Sequence, residues 1–134
     1  MSKLITYTDG GARGNPGPSG IGAVIYNEEK KIVATISKFL GEGTNNQAEY
    51  KALIVALEKA KELGATELQC FLDSELVVKQ LNREYKVKDQ DLAQLFLKVY
   101  NLSLNFKKII FTHVRREFNK EADKLANEAM DRGV

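Results

Sequence analysis

The chain has 134 residues, 43% of them hydrophobic and 28% charged, the size and composition of one globular domain that buries roughly two thirds of its unfolded surface, which excludes a disordered or fibrous chain and leaves no room for a second domain. Twenty basic and 18 acidic residues leave a formal charge of +2, too close to neutral to name a partner by charge alone. One cysteine, Cys70, and one histidine, His113, exclude an intramolecular disulfide and a zinc site built from Cys and His.

The predicted elements follow in chain order. KLITYTD, residues 3–9, alternates with period two and is rich in β-branched and aromatic residues, so it reads as a strand. GGARGNPGPSG holds half of the glycines and both prolines and predicts a shaped loop. IGAVIYN and KKIVATISKFL are two strand-like runs joined by the polar segment from Asn27 to Lys30, a hairpin that completes a three-stranded antiparallel meander. Thr44 or Asn45 then caps a helix whose apolar stripe runs Glu49, Leu53, Ala56, Ala60 and Leu63, closed by Gly64.

ELQCFL is a fourth strand, in which Cys70 reads as a buried, inert thiol. SELVVKQLN predicts a helix opened by Ser74, and KVKDQDLAQLFLKVYNLS a turn and a helix with Leu92, Leu95, Phe96 and Val99 inward. FKKIIFTHV is a fifth strand with a half-buried His113, and Asn119 to Met130 a last helix packed through Ala122, Ala126, Ala129 and Met130. This order predicts an α/β fold: a five-stranded mixed sheet, three strands antiparallel and then two parallel to the first, with helices on both faces. No apolar run approaches the ~20 residues that cross a bilayer, and MSKLITYTDGG lacks the features of a secretory signal, so a cytoplasmic protein with no membrane partner is expected.

Four acids break the pattern of a solvated surface. Asp9 ends the first strand on the side of Ile5 and Tyr7; Asp73 directly follows the fourth strand; Glu49 falls on an apolar stripe; Asp123 begins the inward series of the last helix. Each alone has an ordinary reading: Asp73 could cap a helix, Asp9 brace the glycine loop, and Glu49 and Asp123 sit in salt bridges. Four together at the carboxyl edge of a parallel sheet point further, because clustered carboxylates repel unless a cation neutralises them. Oxygen-only ligands select a hard cation, Mg²⁺ or Mn²⁺, and two such ions suit phosphodiester hydrolysis.

Four segments carry a resemblance: TYTDGGARGNPGPSGIGAVIY around Asp9, TNNQAEYKALIVALE around Glu49, FLDSELVVKQL around Asp73 and NKEADKLANEAM around Asp123. Over residues 3–131 the chain resembles the type 1 ribonuclease H family. The resemblance implies the ribonuclease H-like fold and a metal-dependent endoribonuclease that hydrolyses the RNA strand of an RNA/DNA hybrid, leaving a 3′-hydroxyl and a 5′-phosphate. It assigns Asp9, Glu49, Asp73 and Asp123 to two Mg²⁺ ions, with Asp9 bridging both, Asp73 and Asp123 serving one each, and Glu49 holding one ion and contacting an RNA 2′-hydroxyl. It places Asn15, Asn45 and Gln47 at the minor-groove face, with Thr44 and Asn46 nearby, and Gly10, Gly11 and Gly14 as backbone close to the nucleic acid. Short amides and backbone groups suit this role, since they read 2′-hydroxyls in a shallow minor groove without reading sequence; helix capping is the competing reading for Asn45 and Asn46.

The chain departs from many cellular members at two places. Only VRREF precedes Asn119, with no histidine-bearing loop; Arg115 and Arg116 either approach a phosphate or are surface charges, and arginine is no general base. Between Gln80 and Leu92, Arg83, Lys86 and Lys88 are offset by Glu84, Asp89 and Asp91, a weakly charged handle that predicts modest, salt-sensitive binding. Both departures resemble shorter archaeal and bacterial members and leave double-stranded RNA as a second substrate. A monomer is expected. An idle binding domain and a nuclease acting on DNA junctions or structured RNA are the alternatives; all four acids being present argues against the first, and TNNQAEY and GNPGP against the second.

Overall fold

A computed structural model describes residues 2–134. The five strands are β1 (Lys3–Ala12), β2 (Gly17–Asn27), β3 (Ile32–Gly43), β4 (Glu67–Leu72) and β5 (Lys108–His113); the helices are α1 (Asn45–Glu62), α2 (Glu75–Leu81), α3 (Gln90–Ser103) and α4 (Lys120–Arg132). They form one sheet in the order β3-β2-β1-β4-β5. The β1, β2 and β3 pairings are antiparallel, and β4 and β5 run parallel to β1. The predicted mixed sheet is thus observed.

The strand ends differ from the expectation. Gly10, Gly11 and Ala12 were expected in a loop but continue β1, paired with Ile21, Gly20 and Ser19 of β2. Ladder bonds come from the backbone, so a run of small residues stays in a sheet when a neighbouring strand supplies its partners. The loop shrinks to residues 13–16, closed by the Arg13 N–H donating to the Pro18 carbonyl at 2.8 Å.

The sheet faces are covered unequally. On one, α1, α2 and α3 close a core in which Leu53, Leu57, Val77, Leu81, Leu92 and Val99 meet Leu4, Ile25, Leu68, Cys70 and Leu72 of the sheet. The Tyr50 hydroxyl donates to Gln80 Oε1 at 2.7 Å inside this layer and ties α1 to α2. On the other face α4 lies alone, packing through Ala122, Ala126 and Ala129. Gly22 makes that approach feasible, since a Cβ there would overlap the Ala122 carbonyl.

Local signals set the helix ends. Thr44 caps α1 in a full capping box: its hydroxyl accepts from the Gln47 N–H, and Gln47 Oε1 accepts from the Thr44 N–H. Ser74 and Asp89 cap α2 and α3 through the Val77 and Leu92 N–H groups. Gly64 (φ 82°) follows α1 in the left-handed region, as its place predicted. Cys70 is fully buried, and burial pushes its thiol up to about 12, consistent with an inert residue. His113, expected half-buried, is exposed, because β5 is an edge strand and His113 is its last residue.

Candidate metal centre and nucleic-acid interface

The site begins where β1 and β4 part. Thr8 of β1 stands beside Leu72 of β4 in register, and the next residues along the two chains are Asp9 and Asp73. Neighbouring strands lie ~4.8 Å apart, so two carboxylates at matching positions share one edge. Beyond it β1 continues alongside β2 while β4 ends, which opens a crevice at the carboxyl end of the parallel strands.

Glu49 reaches this crevice from α1. Gly10 lets the helix approach, since a Cβ there would collide with the backbone of Ala48 and Glu49. Gly10 thus serves a close approach of β1 to the chain's own helix. The Gly10 N–H donates to Glu49 Oε1 at 2.5 Å, while Oε2 is buried without a hydrogen-bond partner. One carboxylate oxygen each from Asp9, Glu49 and Asp73 lie within 4.8 Å of one another. Asp123, in the first turn of α4, lines the same cavity of about 590 Å³ but stands outside that group of three.

Crowding these acids has an electrostatic consequence. Burial first, then the Glu49 and Asp73 carboxylates, push the Asp9 carboxyl up to about 10. Glu49 is also raised, by burial and by the Asp73 carboxylate, although the neighbouring Asp9 carboxyl, the Gly10 N–H and the Arg116 guanidinium work the other way. Folding thus biases Asp9 and Glu49 toward the protonated form, and a divalent cation at the same oxygens would compete with that proton. An orphaned buried oxygen beside an all-carboxylate donor set fits a hard cation.

The other predicted residues divide. Gly10, Gly11, Asn45, Asn46 and Arg116 line the cavity with the acids. Asn45 Oδ1 accepts from the Ala12 N–H at 2.8 Å and Asn15 Oδ1 from the Asn45 N–H at 3.0 Å, so these amides lock the end of β1 and the following loop to α1. Thr44 and Gln47 are engaged in the capping box, Gly14 (φ 88°) sits in the turn, and Arg115 pairs with Glu117 at 3.6 Å in solvent; none of these lines the cavity. Sequence reasoning missed Arg13, Ser74, Asn127 and Met130, which do. Arg13 bonds Asp131 at 2.6 Å across to α4, a contact between distant segments with no local signal.

Comparison with known proteins places the chain in a class and then a family. A family model described as reverse transcriptase-like matches residues 7–129. The bifunctional protein Rv2228c of Mycobacterium tuberculosis is 45% identical over 130 residues, covering 96% of this chain and 36% of that protein, so the chain spans about a third of that relative's length. A ribonuclease H of Clostridium botulinum is 34% identical over 98% of this chain and 97% of its own. The crystal structure of LC11-RNase H1 in complex with an RNA/DNA hybrid superposes with a TM-score of 0.92 at 45% identity, covering 96% of this chain and 97% of that one. The chain belongs to the ribonuclease H family.

Proposed function

We propose that this chain, acting as a monomer, is an endoribonuclease that hydrolyses the RNA strand of RNA/DNA hybrids with two Mg²⁺ ions, Mn²⁺ substituting. The observation that carries the reading is the meeting of Asp9, Glu49 and Asp73 within 4.8 Å, with a buried Glu49 oxygen left unpartnered. Asp9, Glu49, Asp73 and Asp123 would hold the ions, which when bound supply an activated water and stabilise the leaving oxygen.

The protein's own groups do the rest. The Gly10 N–H holds Glu49 Oε1 and leaves Oε2 for the site. Arg116, on the rim beside Glu49, offers a fixed positive charge to a backbone phosphate. Asn45 and Asn46, at the start of α1, offer amides to 2′-hydroxyls, with Gly10 and Gly11 exposing backbone between them and the acids. Water forms the new P–O bond as the P–O3′ bond breaks, which leaves a 3′-hydroxyl and a 5′-phosphate.

The test is denaturing-gel cleavage of end-labelled RNA in a hybrid, in double-stranded RNA and as a single strand, with Mg²⁺, Mn²⁺ or EDTA. Hybrid cleavage that needs the metal and disappears in Asp73→Asn is the expected result. Hybrid binding at low salt without cleavage would make this a binding domain instead. Double-stranded RNA is the secondary substrate, and equal rates there and on single strands would remove it.

A further inference from the structure

Asn119 begins the segment NKEADKLANEAM but is absorbed by none of the roles above. It is 2% exposed and occupies the position before α4 where an asparagine side chain ordinarily caps the helix. Here it makes no capping bond. Its amide is turned inward, and Nδ2 donates to the Thr8 carbonyl at 2.8 Å and to Asp73 Oδ2 at 2.9 Å. Its backbone carbonyl accepts from the Asp123 N–H at 3.0 Å. One buried residue thus touches the peptide preceding Asp9, the carboxylate of Asp73 and the backbone of Asp123.

The chemistry of the side chain suits that place. Both partners of Nδ2 are acceptors, so the amide nitrogen must face them, and Oδ1 is left buried with no partner among the described residues. An orphaned buried acceptor is unfavourable, and capping would have avoided it. A lysine or arginine could also donate here, but its charge would compete with a cation for Asp73; an aspartate would place oxygen against oxygen. A neutral amide engages one carboxylate oxygen of Asp73 and leaves the negative charge available.

We infer that Asn119 is the positioning residue of the acid site, holding Asp73 in the orientation in which it joins Asp9 and Glu49 around a divalent cation. The inference rests on the metal-dependent reading above. Groups that orient metal ligands commonly change metal affinity or activity by about 10- to 100-fold when removed.

The test uses the full chain with Asn119→Ala and Asn119→Asp. Mn²⁺ binding is measured calorimetrically without nucleic acid, and kcat and KM on the hybrid are measured with Mg²⁺. For Asn119→Ala the expected result is a Mn²⁺ dissociation constant raised about tenfold or more and a kcat lowered to match, with KM for the hybrid unchanged and part of kcat recovered at high metal. Asn119→Asp is expected to lose more kcat than Asn119→Ala, because it adds repulsion. Folded variants with wild-type metal affinity and kcat, whatever their melting temperatures, would make Asn119 a structural residue only and overturn the inference. Should neither variant fold, nuclear magnetic resonance of the wild type decides: the Asn119 side-chain amide protons should exchange slowly and shift on adding Mg²⁺, and fast exchange or no shift overturns the inference. A wild type that binds no Mn²⁺ and cuts no hybrid defeats the functional reading as well, whereas a wild type that does both beside indistinguishable Asn119 variants defeats this inference alone.

Discussion

The apolar layer beneath α1, α2 and α3 and the acid edge above β1 and β4 are built from the same strands, yet they do opposite things to stability. In the layer, Leu53, Leu57, Leu68 and Leu72 are at most 2% exposed and every contact favours folding. At the edge, Asp9 and Glu49 are nearly as buried, at 9% and 6% exposure, and their mutual repulsion opposes folding until something positive arrives. Burial is therefore no guide to stabilisation in this molecule. One region holds the fold, and the other is held by it.

Substitutions can break this division, and the largest effect belongs to the edge. Asp73→Asn should lower hybrid cleavage by more than about a hundredfold while leaving the fold intact, as gel assays beside circular dichroism would show; cleavage near the wild-type rate would mean a different site. In the layer, Leu53→Ala should cost about 2–5 kcal/mol of stability. Because Leu53 lines no part of the cavity, kcat of the folded molecules at low temperature should hold, and denaturant melts with active-site titration check both halves.

The edge also predicts a stabilising change. Asp9→Asn removes a carboxyl that the folded chain keeps protonated and the unfolded chain ionises above pH 4, so the metal-free variant should gain about 1–3 kcal/mol at pH 8, shrinking toward pH 4. The same sign governs the wild type. Asp9 and Glu49 are raised on folding, so the folded state binds more protons and the metal-free melting temperature should fall as pH climbs from 5 to 8. Stabilisation by Mg²⁺ should grow over the same range as the ion competes with protons for these oxygens; a flat or rising metal-free profile would contradict the raised carboxyls. The smallest effect is at the rim. Arg116→Ala should weaken hybrid binding and reduce its salt slope by about one, with kcat little changed, measured by fluorescence anisotropy across a salt series.

Much of this was legible in one chain of letters because the signals are local. The period-two run of KLITYTD, the capping residues Thr44 and Ser74, the Gly64 stop and the alanines of α4 each act within a few residues of themselves. The four acids were conspicuous for a related reason, each being a charged residue where its own element called for an apolar one or where a strand stopped. Their sequence setting also carried the family resemblance that the comparisons bear out. The strand ends misled because glycine has weak preferences of its own, and only the pairing of Gly10 and Gly11 with β2 shows that β1 runs on.

By itself, then, the sequence determined the element order, the mixed sheet and which carboxylates to suspect, since periodicity, caps and turn residues are properties of short segments. Tertiary structure decided which face of the sheet is sealed, that Asn45 and Arg116 reach the cavity, and that Asn119 turns away from its helix toward Asp73. Those outcomes depend on groups 39 to 111 positions apart meeting at one edge. No local pattern encodes such a meeting, because the partners exist only once the sheet has brought them together.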